Sequence, residues 1–282
     1  MRLNNSLPAL LVFKVLMLFM LPGYTAPKRI ITLSGAITET VDALGFGKQI
    51  VAVDVTSTFP EYIKRLPRVS RNRSVSAEGL ISFSPDLVIA PEGDISFEIQ
   101  SQLKTYGIKL ILIRQEYSPK GAAALIRKVA AVLGVASKGE LLAQQTLSRV
   151  NDALARVRQS TRQPKVLFIY ARGSGTMSVA GKGSNMDAII KLAGGRNAVN
   201  DFDDFKPYTS EALVKANPDV ILMFDFGLSS LGGKEEMLAM PGIKLTNAGK
   251  HQRIVTMDGQ LLISFSSRLD QAILQLHALL MN

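Results

Sequence analysis

Arg71 and Arg73 stand two residues apart in VSRNRSVSAEG, residues 69–79, where an apolar run ends and a helix start follows. A third arginine, Arg172, sits in YARGSG after another apolar run. Guanidinium groups stay protonated, grip carboxylates bidentately and stack on flat conjugated rings. The three arginines are therefore candidates for holding an anionic or planar ligand; the plain alternative for each is a solvated loop. Catalytic readings fare poorly. The chain has no G-x-S-x-G elbow, no Walker A loop and no H-E-x-x-H zinc motif. The only histidines are His251 and His277. His277 lies in the terminal apolar segment and reads as structural, so a Ser-His-Asp hydrolase lacks a base. An exported α/β enzyme built on the glycine-rich stretch 173–183 is a rival reading without a catalytic base beside it.

Self-similarity supplies the frame for these residues. Residues 76–90, SAEGLISFSPDLVIA, and 209–223, TSEALVKANPDVILM, align at an offset of 133 with Glu, Leu, Pro and Asp in register. Each copy has a capping Ser or Thr, a short helix with Glu78 or Glu211 in its first turn, a Pro-Asp break, and an apolar run that fits a buried parallel strand. The segments ahead of each copy match as well, reading strand, loop, helix and glycine turn. Between the copies, Pro119–Leu133 and Lys138–Gln159 show helical spacing, with Leu142, Leu147, Val150, Leu154 and Val157 on one face of the longer helix. Such a helix spans roughly 30 Å, enough to join two lobes. The expected fold is α/β: two similar βα lobes with mainly parallel sheets, joined by a long connecting helix, with a ligand cleft between them. Ligands in such sheets sit beyond the carboxyl ends of strands. That places the loops 34–38, 54–59, 70–74 and 91–94 of the first lobe opposite the loops 171–176, 203–208 and 225–231 of the second.

Composition agrees with an ordered, exported protein. Of 282 residues 47% are hydrophobic and 20% charged, with no Trp and no Cys. Residues 1–26 carry Arg2 and Lys14 but no acid, and Val15–Leu21 is too short an apolar run to span a bilayer. This reads as a signal peptide, with Thr25 and Ala26 near the cleavage site. Without a Cys there is no lipid attachment point. Removing the segment leaves 31 of the 33 basic residues against 23 acids, a formal charge of +8. Nucleic acid is not the expected partner, because the charges are scattered and no aromatics interleave with a basic run. The organisation expected is a signal peptide over 1–26, an N-terminal lobe over 27–136, a connecting helix over 137–162 and a C-terminal lobe over 163–282.

Taken together, RIITLSGAITETVDALG, LPRV, SAEGLISFSPDLVIAPEG, VAGKGSNMDAIIKLAGGRNAV, DFKPYTSEALVKANPDVILM and MPGI resemble the periplasmic substrate-binding proteins of ABC importers whose lobes are joined by one long helix. Within that class the chain looks most like haemin-binding proteins, with AGGRNAV and KPYTSEAL the more specific segments. The resemblance implies a non-enzymatic binding protein of the periplasm, without a catalytic cofactor, that takes haem as its transported ligand. It also implies an inner-membrane ABC permease dimer as partner. Glu78 and Glu211 then stand where family members present one acid per lobe to permease arginines, which suits positioning more than bulk affinity.

The chain departs from that pattern at the ligand. Arg71 occupies the position where the family commonly offers iron a Tyr, Arg73 matches an accompanying Arg, and Arg172 stands near where some members carry a His. Guanidinium has no lone pair for ferric iron, so these three are expected on propionates or a porphyrin face rather than as axial ligands. Tyr208 is the first candidate for an alternative iron ligand, ahead of Tyr170, Tyr117, Met177 and His251. No axial atom is assigned from the sequence. The same arginines would equally suit an anionic ferric siderophore or another tetrapyrrole on the same scaffold.

Overall fold

The computed structural model describes residues 27–70, 74–173, 177–207 and 209–282. The first lobe holds a four-stranded parallel sheet of β1 (Ile30–Thr32), β2 (Ile50–Val53), β3 (Leu87–Pro91) and β4 (Lys109–Ile113), in the order β2-β1-β3-β4. β1 and the first four residues of β3 are buried throughout, as strands covered on both faces must be. Helices α1 (Gly35–Val41), α2 (Ala77–Ile81), α3 (Phe97–Thr105) and α4 (Pro119–Val132) flank this sheet, and α5 (Ala136–Val157) follows.

The second lobe carries β5 (Lys165–Ala171), β6 (Met177–Ala180), β7 (Arg196–Asn197), β8 (Phe205–Pro207), β9 (Val220–Phe224) and β10 (Ile254–Met257). Its sheet runs β10-β9-β5-β6-β8, with β7 beside the start of β5. β10, β9 and β5 are parallel; β6 pairs antiparallel with both β5 and β8. Its helices are α6 (Asn185–Leu192), α7 (Ser210–Ala216), α8 (Asp225–Ser230), α9 (Lys234–Ala239), α10 (Asn247–Lys250), α11 (Gly259–Ile263) and α12 (Leu269–Met281). The repeat seen in the sequence is thus a repeated α2–β3 and α7–β9 unit. Ser76 and Thr209, equivalent in the two copies, both cap their helices, accepting from Gly79 N at 3.0 Å and Ala212 N at 3.2 Å.

Four local expectations are corrected. Residues 34–38, expected as a loop, enter helix α1 from Gly35 onward, and within 203–208, likewise expected as a loop, Phe205–Pro207 pairs with β6 as the edge strand β8. The glycine-rich stretch after β5 does not lead straight into a helix: Met177–Ala180 turns back as an antiparallel strand, so the second sheet is mixed. Residues 225–231, expected as a loop, form α8 over all but the last.

The long helix runs over Ala136–Val157, starting and ending two residues earlier than its spacing predicts. Its buried stripe consists of Gly139, Ala143, Thr146, Val150, Ala153 and Val157, while Leu142, Leu147 and Leu154 lie at its flanks. Small residues take the centre because α5 crosses α4 closely. A Cβ on Gly139 would lie 2.1 Å from the Ala130 Cβ. The first half of α5 packs on Ala123 and Ile126, and the second half packs with Leu276 and Leu280 of α12, so one helix contributes to both lobes' cores. Gly134 permits the sharp turn between α4 and α5, with φ of 74°. Replacing Gly139 by Leu should destabilise the protein by about 1–3 kcal/mol or more through overpacking, measured as a lower urea midpoint at unchanged slope.

Candidate ligand-binding cleft

The carboxyl ends of the first sheet open onto a hollow of about 650 Å³. Its walls include Ser34 and Gly35 after β1, Asp54 and Thr56 after β2, Glu92 and Asp94 after β3, and Arg114, Gln115 and Tyr117 after β4. Gln260, Ile263 and Ser264 of the second lobe close the other side. A second hollow of about 720 Å³ is lined by Tyr170, Lys182, Asp203, Phe205 and Phe224. Tyr117, Asn185 and Ile263 line both, so the two are halves of one interlobe cleft. Each falls in the size range of small-molecule sites.

The two halves differ chemically. Asp54 organises the first: its carboxylate accepts from Thr56 N at 3.0 Å, from the Thr56 hydroxyl, and from Ser57 Oγ at 2.5 Å. Arg68 braces the same loop, donating to the carbonyls of Asp54 and Ser57 at 2.6 and 2.5 Å. Burial holds the Arg68 pKa below its ordinary value, against the opposing pull of Asp54. Asp54 is thereby committed to loop structure. The second half sets aromatic rings beside Lys182, Asp203 and Asp204. Phe168 and Tyr170 alternate along β5, and Phe224 ends β9 with Phe226 just beyond. Phe224 meets Phe168 at 4.9 Å and Phe226 at 5.3 Å between ring centroids, and Tyr170 lies 6.2 Å from both Phe224 and Phe226. Phe205 completes the group 6.2 Å from Phe168. Phe205 and Phe226 remain exposed at 38% and 49%. Across the cleft, Tyr117 leans edge-on against Phe265 at 5.4 Å. Such a wall suits a flat conjugated ligand, which gains from stacking and edge contacts beyond the area it buries.

Of the residues singled out by the sequence, Arg71, Arg73 and Tyr208 lie outside the described residues. Arg172 is exposed one residue past β5 and lines neither half of the cleft. Tyr117 and Tyr170 are cleft phenols. Met177 faces away, beside Met237 and Met240. His251 lines a separate hollow with Arg162, Asp219 and Arg253. His277 hydrogen-bonds the Ala193 carbonyl through Nδ1 at 2.9 Å, the structural role its setting predicts. Arg114 and Lys182 are the cations that line the cleft among the described residues. The loop after β4 was missed, although the strand-end rule that located the other loops applies to it equally. The aromatic lining was also missed as a group, because Phe205 and Phe224 come to Tyr170 from separate strands.

Glu78 and Glu211 are exposed in the first turns of α2 and α7, one in each lobe. The Glu211 carboxyl is held below its ordinary pKa by its own backbone N–H and by the Thr209 hydroxyl. Helix capping and outward presentation therefore coexist at this acid.

A cleft between two α/β lobes, walled by strand-end loops and closed at its floor, defines a bilobal solute-binding protein. The chain belongs to the periplasmic binding protein family, whose model matches residues 30–261. It is similar to the uncharacterised ABC transporter substrate-binding lipoprotein YvrC of Bacillus subtilis, 28% identical over 89% of this chain and 79% of that protein. Among solved structures, the apo periplasmic heme-binding protein RhuT from Roseiflexus superposes with a TM-score of 0.86 at 38% identity, covering 90% of this chain and 97% of that one. The periplasmic heme-binding protein BhuT in complex with two hemes superposes at 0.84 and 37%, with the same coverage. No described helix is long and apolar enough to cross a membrane.

A depressed pKa on Glu211 means that its contribution to stability is present above the ordinary glutamate pKa and is lost as pH falls through the depressed value. Replacing Thr209 by Ala should move the Glu211 carboxyl titration, followed by NMR, upward toward the ordinary range, with that loss occurring at higher pH.

Proposed function

We propose that this protein captures haem in its interlobe cleft and delivers it to an inner-membrane ABC importer. The observation that carries this reading is the set of aromatic rings Tyr117, Tyr170, Phe205 and Phe224 lining one hollow of the cleft, of porphyrin-compatible size. The fold likeness to heme-binding proteins at 38% and 37% identity supports it. The role is binding and transfer without catalysis. We assign residues 1–26 as a signal peptide, 27–136 and 163–282 as the lobes and 137–162 as their connection.

Haem presents a planar face, two propionates and a ferric ion. The aromatic wall takes the face. Arg71 and Arg73, with Arg114 and Lys182 on the described walls, are the cations for the propionates, and Arg172, which lines neither half of the cleft, is not among them. For the iron, Tyr208, Tyr117 and Tyr170 are the phenols to test; a phenolate is a ligand haem iron accepts in other proteins. Glu78 and Glu211 would meet cationic groups on the permease, one acid per lobe, fixing the orientation of delivery.

Haemin added to the purified protein should give a saturable change in the Soret band, and changing Arg71 and Arg73 together to Ala should weaken binding about tenfold or more without lowering the unfolding midpoint. No Soret change, with saturable binding of an anionic ferric siderophore, would overturn the haem reading in favour of that chelate. Changing Glu78 and Glu211 together to Ala should abolish most haem-dependent growth or uptake while leaving haemin affinity in solution unchanged; unaltered uptake would remove the docking role.

A further inference from the structure

The floor of the cleft is crossed by a polar cluster that joins residues more than two hundred positions apart. Glu39, on α1 of the first lobe, is 2% exposed. Its Oε1 accepts from Gln260 Nε2 at 2.6 Å and from the Arg268 guanidinium, and its Oε2 accepts from Ser266 Oγ at 2.5 Å. All three donors belong to the second lobe. Gln260, 4% exposed, is bonded at both ends. Its Oε1 accepts from the backbone N–H groups of Thr58 and Phe59, the latter at 2.8 Å, and from Thr58 Oγ1 at 2.9 Å. Its Nε2 also reaches the Gly35 carbonyl at 3.3 Å. Arg268 lies over the Phe59 ring at 3.5 Å.

Gln260 lines the cleft, yet its polar atoms are already engaged by the protein, so ligand recognition is not what it offers. Those bonds fix α1 and the loop carrying Asp54 and Thr56, on one wall, against α11 with Ile263 and Ser264 on the other. An apolar contact could slide; a carboxylate with three aimed donors and an amide bonded at both ends define one register. Gly35 belongs to the same fit, because a Cβ there would lie 2.7 Å from Gln260 Cγ.

We propose that Glu39, Gln260 and Arg268 are positioning residues for ligand capture, forming a buried clasp that sets the spacing of the cleft walls. The effect on capture rests on the haem reading; the effect on lobe spacing does not.

The chain has no cysteine, so spin labels can be placed at Lys104→Cys on α3 and Lys250→Cys on α10 without background. In the ligand-free protein a single narrow interlobe distance distribution is expected by pulsed electron paramagnetic resonance. Gln260→Ala and the milder Glu39→Gln should broaden it, and haemin should narrow it again. Haemin should leave these variants about tenfold faster than the parent, with little change in association rate. Glu39→Gln keeps the side chain's size, so it remains informative if Gln260→Ala fails to fold. A distribution as narrow in the folded variants as in the parent overturns the clasp, whatever haemin does. Absence of haemin binding to the parent would instead overturn the ligand reading and leave the distance result standing.

Discussion

The buried carboxylate of Glu39 is the constraint on which the working parts of this molecule depend. A charge with 2% exposure is tolerable only when its lone pairs are met, and here they are met by Gln260, Ser266 and Arg268 from the other lobe. Removing one partner of such a pair costs about 3–5 kcal/mol, because the remaining charge stays buried. The lobes therefore meet in one orientation. The same segment takes further contacts: Gln115 of the first lobe donates to the Ser264 carbonyl at 2.7 Å, and Arg149 of the connecting helix to that of Ser267 at 2.9 Å.

Around that floor the two lobes offer complementary chemistry. The first supplies ordered hydroxyl and carboxylate loops, with Thr38 Oγ1 linking Thr32 and Ser57 at 2.7 Å each behind Asp54. The second supplies aromatic rings in a chain with 6% aromatic residues. Concentrating rings on one wall gives a flat ligand a face to lie against. Outside the cleft, the repeated unit sets Glu78 and Glu211 at equivalent helix starts, so duplication of a local structure yields a paired surface feature.

Much of this was legible in the sequence. SAEGLISFSPDLVIA and TSEALVKANPDVILM specify cap, helix, break and strand by local chemistry alone, and the structure repeats them at the same offset. The long helix was legible from its period. The centre of its buried stripe was not, because Gly139, Ala143 and Thr146 do not announce burial; their smallness matters only once α4 lies against them. The strand β6 was missed for a related reason: four residues cannot establish a period, and pairing with β5 and β8 decides their state.

By itself, the sequence determined the α/β class, the duplicated lobes, the caps and the acids at helix starts, since each follows from interactions within a few residues. It also excluded arginine as an iron ligand, since guanidinium chemistry does not depend on the fold. Only the tertiary structure decided that Tyr117 and Tyr170 share a cleft and that Gln260 and Arg268 reach across to Glu39. Those contacts join segments whose separation along the chain carries no periodic or local signal. Their partners are fixed by how two finished lobes pack.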